Sequence, residues 1–298
     1  MKTLIVITGP TGVGKTALAI DLARELHTEI VSADSRQIYR GMPICTAAPD
    51  PQQLATVPHH FIATLDLQDY FSASLFESQA LEVIARLFGK SDYAVMCGGS
   101  MMYVDAVCNG IDDIPTISDS IRTEVLEQYQ TSGLESVQKR LLELDPEYYA
   151  KVDLKNAKRV IHAVEICLQS GVTYTSLRQG HKQSRPFSII KVGLTLPREQ
   201  LFGRINRRVD MMVGQGLEQE ARSLYHLRHL NSLNTVGMKE MFAYFDGTMD
   251  FVTARERIKK NTRVYAKKQL TWYARDEHIH WIAPDRRELF ALLEKSRI

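Results

Sequence analysis

Residues 9–16 read Gly-Pro-Thr-Gly-Val-Gly-Lys-Thr, the G-x-x-x-x-G-K-T spacing of a phosphate-binding loop. Leu4, Ile5, Val6 and Ile7 precede it with the composition of a buried strand. Leu18, Leu22 and Leu26 follow at helical spacing, with Ala19 and Ala23 between them. Strand, glycine-rich loop and helix is the context this spacing requires. Gly9, Gly12 and Gly14 let the chain turn its N–H groups inward on an anion, with Pro10, Thr11 and Val13 completing the cradle. A helix beginning near Lys15 adds its positive end. Lys15 supplies a mobile charge for a terminal phosphate, and the Thr16 hydroxyl can ligate Mg²⁺. The chain therefore binds something with two or more phosphates, and its first part is committed to a parallel α/β layout.

The next segments keep that layout. "TEIVSADSRQIY" reads as a strand ending near Ala33, "ASLFESQALEVIARLFG" as an amphipathic helix, and "DYAVMCGGSMMYVDAVCNG" as strand, turn and helix. From about Pro115 to Pro186 strand signals fade. "SDSIRTEVLEQYQTSG", "LESVQKRLLELDPEYYAKV" and "NAKRVIHAVEICLQSG" are helix-like, each closed by Gly or Asp-Pro. "SIIKVGLTL" resumes the sheet. Long helices follow from Arg198, with a short strand at "IHWIA". The expected fold is α/β: a P-loop, nucleoside-kinase-like parallel sheet flanked by helices over residues 1–115 and 187–298, with an all-helical insertion domain over 116–186.

At 298 residues and 44% hydrophobic, the chain can build a sizeable core. No run approaches a membrane span, and the first residues enter a strand directly, so a cytoplasmic protein without a signal peptide is expected. Cys45, Cys97, Cys108 and Cys167 form no C-x-x-C pair and read as reduced, buried thiols. His59-His60 and His226-x-x-His229 lack companion ligands and read as packing or surface residues. The net charge of +2 hides an asymmetry. Residues 1–150 carry 10 basic against 20 acidic side chains, and residues 151–298 carry 27 against 15. That split points to a polyanionic partner for the C-terminal half.

Several residues could carry chemistry. Asp34 follows a strand beside the loop, where it suits a general base or a metal partner, and equally a helix cap; the sequence leaves both open. Gly98, Gly99 and Ser100 form a second strand-end turn, in which Ser100 can bond a phosphate or cap its helix. A P-loop hydrolase ends a strand in Asp to hold Mg²⁺, and "YAVMCGG" has none. In "RINRRVDMMVG", Arg204 and Arg208 share a helix face, fit to stabilise a leaving diphosphate or simply solvated. "RERIKKNTRVYAKKQLTWYAR" carries eight basic residues and one acidic, with Tyr265, Trp272 and Tyr273 between them. It reads as a nucleic-acid-binding helix, or as a basic amphipathic helix packed on the domain.

Taken in order, "GPTGVGKT", "VSADSRQIYRGMPICTAAP", "PHHFIATLD", "GGSMMYVDA", "DLKNAKRVIHAVEI", "RVDMMVGQGLEQEARSL", "NTVGMKEM" and "AKKQLTWY" resemble the tRNA dimethylallyltransferases (tRNA isopentenyltransferases) essentially end to end, in their short bacterial form. The resemblance implies a loop that holds dimethylallyl diphosphate, and an acceptor that is N6 of the adenine 3′ to the anticodon. It implies Asp34 as the base, Lys15, Ser100 and Arg208 on the departing diphosphate, and Mg²⁺ at Thr16. It implies tRNA contacts at Asp34, Ser35, Arg36, Gln37, Ser100, Arg122, Lys158, Arg159, Val160, Ile161, His162, Gly237 and Lys239, with the insertion gripping the anticodon stem-loop of a flipped-out target base. It also implies a monomer.

The chain departs from the family pattern in four places. Ser100 stands where the family has Thr, His162 where it often has Arg, "CTAAP" for "GTAKP", and "GMKE" for "GYKE". Serine keeps the hydroxyl but loses the methyl that fixes its rotamer, and the other changes weaken tRNA or substrate contacts, as in a paralogue with shifted tRNA preference. The rivals are an ATP-binding small-molecule kinase, prenyl transfer to free AMP, and a non-catalytic tRNA-binding protein.

Overall fold

The computed structural model describes residues 2–112, 114–178, 180 and 183–295. In chain order the elements are β1 (Thr3–Thr8), α1 (Lys15–Glu25), β2 (Ile30–Ser32), α2 (Pro51–Thr56), β3 (His59–His60), α3 (Ala73–Phe88), β4 (Tyr93–Cys97) and α4 (Met101–Asn109). Next come α5 (Asp119–Leu144), α6 (Pro146–Lys151), α7 (Ala157–Ser170) and α8 (Tyr174–Leu177). The chain then continues through β5 (Ser188–Leu194), α9 (Arg198–Gly214), α10 (Leu217–Leu224), α11 (Met238–Phe245), α12 (Phe251–Tyr273), β6 (Ile279–Ile282) and α13 (Arg286–Lys295).

The six strands form one parallel sheet in the order β3-β2-β4-β1-β5-β6. All six residues of β1 are buried, as a strand covered on both faces requires. Strand periodicity divides its side chains. Leu4 and Val6 join one core layer, with Phe76 and Ile84 of α3, Val104 of α4 and Ile258 of α12. Ile5 and Ile7 join the other, with Leu18 and Leu22 of α1, Leu201 and Ile205 of α9 and Leu289 of α13. Each such side chain contributes about 1.5–3 kcal/mol on full burial. The C-terminal ends of β1, β2 and β4 open together at one edge, where ligands of such sheets bind. The edge strand β3 had no sequence signal. Its two residues are too few for a period, and His60 is held by Glu29 at 2.7 Å.

The chain divides into two compact units: residues up to Cys108 with those from Arg185 on, and residues 109–184. The boundaries precede the Pro115 and Pro186 breaks for a local reason. The Asn109 carbonyl accepts from Gln183 N at 2.8 Å and the Asp112 carboxylate from Gly180 N at 2.9 Å, so the two connecting stretches pair with each other. On the core side Arg185 gathers both chain crossings. Its Nε donates to the Val107 carbonyl at 2.8 Å, and its Nη2 to the Ala106 carbonyl at 2.7 Å and to buried Glu77.

The second unit is helical throughout its regular elements. α5 is two helical stretches meeting at Gly133, whose φ of 74° and ψ of 177° are not helical, so the Thr-Ser-Gly break ends the first stretch as expected. Val125, Val137 and Leu141 of α5 pack on Val160, Ala163 and Val164 of α7. Asp145 ends α5 and caps α6. Its buried carboxylate accepts from Tyr148 N, Thr175 N and Thr175 Oγ1 at 2.9, 2.7 and 2.9 Å.

Candidate active site

The phosphate loop runs from β1 into α1. Gly14 caps the helix in the left-handed region at φ 112°, and no side chain caps it, which leaves the first turn of α1 to serve an anion. Lys15 folds back: its Nζ donates to the Gly9 and Pro10 carbonyls, both at 2.9 Å. Burial pulls the Lys15 ammonium down from its usual value to about 8. The loop borders a cavity of about 220 Å³ whose walls include Thr11, Lys15, Thr16, Ser32, Asp34 and Arg208. Among the described residues no three His, Cys, Asp or Glu side chains cluster to hold a metal. The oxygen donors of Thr16, Ser32 and Asp34 share this cavity, a set that suits a hard cation keeping waters and ligand phosphates in its shell.

Asp34 does two things at once. Its Oδ1 accepts from Arg36 N at 2.9 Å and Gln37 N at 3.2 Å, the local turn-capping arrangement. Its other oxygen makes no hydrogen bond among the described residues, and the carboxylate lines the cavity. The cap fixes the side chain and leaves one oxygen for chemistry. The turn after β4 is packed against the same segment. A Cβ on Gly98 would lie 2.1 Å from the Ala33 carbonyl oxygen, so only glycine lets the two strand ends meet. Ser100 N donates to that carbonyl at 3.1 Å. The Ser100 hydroxyl accepts from Ser35 N at 2.8 Å and donates to Ser35 Oγ at 3.1 Å. It thus braces the Asp34–Ser35 turn, and caps no helix through its side chain.

Arg208 comes in from α9. Its Nη2 donates to Thr11 Oγ1 at 2.6 Å, while its buried Nε has no hydrogen-bond partner among the described residues. Burial lowers its pKa from the ordinary guanidinium value. A buried donor left unpaired beside a phosphate loop is suited to an incoming anion. Arg204 remains exposed, with Nη2 close over Gly14.

A second cavity, of about 540 Å³, shares Thr11, Asp34, Thr46 and Arg208 with the first. Its walls add Ser100 and Arg36, Lys239, the apolar Val209, Met212 and Ile258, and Tyr265 and Lys268 of α12. One carboxylate and one guanidinium thus stand between a polar, phosphate-sized pocket and a larger, half-apolar one.

This constellation has relatives. A family model described as IPP transferase matches residues 37–276. The chain belongs to the IPP transferase family. It is 55% identical to tRNA dimethylallyltransferase 1 of Bacteroides thetaiotaomicron, over 96% of this chain and 92% of the relative. It is 53% identical to tRNA dimethylallyltransferase 2 of Porphyromonas gingivalis, over 95% and 94%. Among solved structures it is similar to the full-length tRNA isopentenylpyrophosphate transferase of Bacillus halodurans, with TM-score 0.72 and 33% identity over 99% of this chain and 95% of that one. It is also similar to a eukaryotic dimethylallyltransferase acting on tRNA, with TM-score 0.78 and 26% identity over 92% and 70%.

In this IPP transferase chain the remaining expected RNA contacts divide by exposure. The Arg36 guanidinium donates to the carbonyls of Asn231 and Ser232 at 2.9 and 3.1 Å, and the Gln37 amide to those of Thr46 and Ala47 at 3.1 and 3.2 Å, so both brace neighbouring loops. Gly237 is buried against Cys45 Sγ, and its N–H is held by Glu240 at 2.7 Å, whereas Lys239 is exposed. In the second unit Arg122 lies on α5 and the 158–162 stretch in the first turns of α7. Lys158 and Arg159 are exposed, Ile161 is half-buried, Val160 sits in the core, and His162 lies 3.6 Å from Glu165.

Of the two readings of α12, its aromatic residues favour a basic amphipathic helix packed on the domain. Tyr273 is buried, and the Trp272 ring N–H donates to Asp105 at 2.8 Å, so both pack inward and only Tyr265 offers its ring to a cavity. The sequence reading missed Gln269 and the Thr11 hydroxyl, because neither bond is local in sequence. All four cysteines are free, and burial pushes Cys45, Cys97 and Cys108 up to about 12.

Proposed function

We propose that the protein transfers a dimethylallyl group from dimethylallyl diphosphate to N6 of the adenine 3′ to the anticodon in tRNA. The observation that carries this reading is the pair of adjoining cavities with Asp34 and Arg208 common to both. The smaller suits the diphosphate, cradled by the loop N–H groups of residues 9–16 and by Lys15. The larger suits an unstacked adenosine and the prenyl chain. The adenine amine attacks C1 of the dimethylallyl group, and the bond from C1 to the diphosphate oxygen breaks with its electron pair on that oxygen. The amine proton goes to the free oxygen of Asp34. Lys15 and the unpaired Arg208 Nε–H take up the charge that develops on the leaving diphosphate. Mg²⁺, held by Thr16 with Ser32 and Asp34 nearby, would neutralise the diphosphate. Ser100 acts by holding Ser35 and so the Asp34 turn, which supports a positioning role for it.

The exposed Lys158, Arg159 and Lys239, with Arg122 and His162, are the side chains we assign to tRNA, and the insertion is the part that grips the anticodon stem-loop. Among the described residues no helix is long and apolar enough to cross a membrane. A tRNA substrate supports action in the cytoplasm.

The test is a transfer assay with Mg²⁺ and labelled dimethylallyl diphosphate, offering unmodified tRNA and AMP in parallel. Label fixed in tRNA adenine and absent from AMP is the expected result. Label in AMP alone would move the function to free-nucleotide prenylation. No label in either, with tight ATP binding, would make the loop a nucleotide site.

A further inference from the structure

The α12 segment Ala266-Lys267-Lys268-Gln269-Leu270-Thr271-Trp272-Tyr273 has basic residues on its exposed face and a glutamine on its inner face, 1% exposed. A buried amide costs free energy unless both ends are bonded, and a leucine would fill the space without that demand. Both ends of Gln269 are bonded, to two different strand-end turns. Its Oε1 accepts from Thr11 N at 2.8 Å, and its Nε2 donates to the Gly99 carbonyl at 2.7 Å. The contact with the second turn is direct: a Cβ on Gly99 would lie 2.4 Å from Gln269 Nε2. The bonds continue past Gln269. Thr11, whose N–H it holds, accepts Arg208 Nη2 on its hydroxyl at 2.6 Å. Ser100, next to Gly99, holds Ser35 beside Asp34. One side chain therefore sits at the head of two short chains of bonds, one ending on the guanidinium and one on the turn that carries the carboxylate.

We propose that Gln269 is a positioning residue for the transfer reaction: anchored on the Gly98–Ser100 turn, it holds Thr11 and through it aims Arg208 at the departing diphosphate. The inference rests on the reaction proposed above. Gln269 lines neither cavity and touches no substrate. It acts on the rate because a displacement of about 1 Å in a group that meets the transition state can cost about 100-fold. It acts little on RNA affinity, because the surfaces assigned to RNA do not depend on these bonds.

The experiment replaces Gln269 by Leu, with Gln269→Met as the variant closer in length should Leu fail to fold. Each is made in the wild-type and in the Arg208→Lys background. Measured are single-turnover transfer to tRNA, equilibrium binding of tRNA and of inorganic pyrophosphate, and the melting temperature. The expected result is a loss of about 10–100-fold in transfer rate at saturating substrates. tRNA and pyrophosphate binding change by less than about threefold, and the protein stays folded at the assay temperature. In the Arg208→Lys background the same substitution costs less than about threefold more, because the route through Thr11 is already impaired. An unchanged rate in a folded variant overturns the proposal. So does a full multiplicative loss in the Arg208→Lys background, which marks Gln269 as a structural support independent of Arg208. Absence of transfer by the wild-type protein would instead sink the reaction itself, and pyrophosphate binding still reports whether the loop is intact.

Discussion

The two halves of the site are built by different means. The phosphate loop is one contiguous segment, residues 9–16, and the groups it presents at the start of α1 are backbone N–H groups that no side chain caps. The larger cavity, assigned above to the acceptor, is lined from segments around residues 11, 34–36, 45–46, 100, 208–212, 234–239 and 258–268. A backbone-made site is fixed by a few glycines and changes little when side chains drift. A side-chain-made site can be altered one residue at a time, and of the positions expected to depart from the family's pattern Cys45 and Ser100 line the larger cavity, whereas Met238 is buried in the core. Apart from Thr11 and Arg208, which border both cavities, substitutions on the acceptor side should therefore change rate and RNA choice without touching diphosphate binding.

Asp34→Asn sharpens this contrast most. The amide oxygen can still accept from Arg36 N and Gln37 N, so the turn survives while the base is lost. Transfer should fall about 100- to 10,000-fold with pyrophosphate binding nearly unchanged. Transfer at the wild-type rate would remove Asp34 from the proton-abstracting role.

A smaller effect separates the halves by pH. In the free protein Lys15 titrates at about 8, below its usual range, because it is buried. Its charge is complete below that pH and lost above it. A bound diphosphate favours the ammonium and raises the value again. Pyrophosphate affinity should therefore weaken as pH rises past 8, by up to about tenfold per unit, with proton uptake on binding. Calorimetry at pH 8.5 in two buffers of different ionisation heat reads that uptake, which should vanish in Lys15→Arg. Proton release attributable to Lys15 would contradict the assignment. The tRNA-binding constant should show no such inflection.

The smallest effect belongs to Tyr265. Its ring faces the acceptor cavity, and its phenol is pushed up to about 12 by burial, so it stays neutral throughout the working range. Tyr265→Leu should weaken tRNA binding by about 1 kcal/mol, roughly fivefold in Kd, with Tyr265→Phe close to wild type. Loss in the Phe variant equal to that in Leu would mean the hydroxyl matters and the ring does not.

The same contrast explains how much could be read without coordinates. The loop, its flanking strand and helix, and the alternation to residue 109 were legible because each is a local pattern. The helices of the second unit were legible from helix periodicity and their Gly and Asp-Pro stops, Gly133 among them. Asp34 was legible as a site residue or a helix cap; it caps a turn and not a helix, and its carboxylate lines the cavity. What could not be read depends on which residues meet across the fold. Gln269 and Thr11 are 258 positions apart. The inward turn of Trp272 and Tyr273 follows from which face of α12 lies on the sheet, and composition carries no information about that. β3 exists because β2 offers it an edge.

The position of β1 has a consequence for how the molecule is made. β1 lies between β4 and β5, yet β5 begins only at Ser188, after the whole 109–184 stretch has intervened. On a ribosome, β1 emerges before β5 and waits with one hydrogen-bonding edge open until β5 follows. The intervening stretch has its own apolar core and its pieces are near neighbours in sequence, so it can form during that wait. The phosphate loop is thus translated well before Arg208, which completes the wall of the cavity it borders.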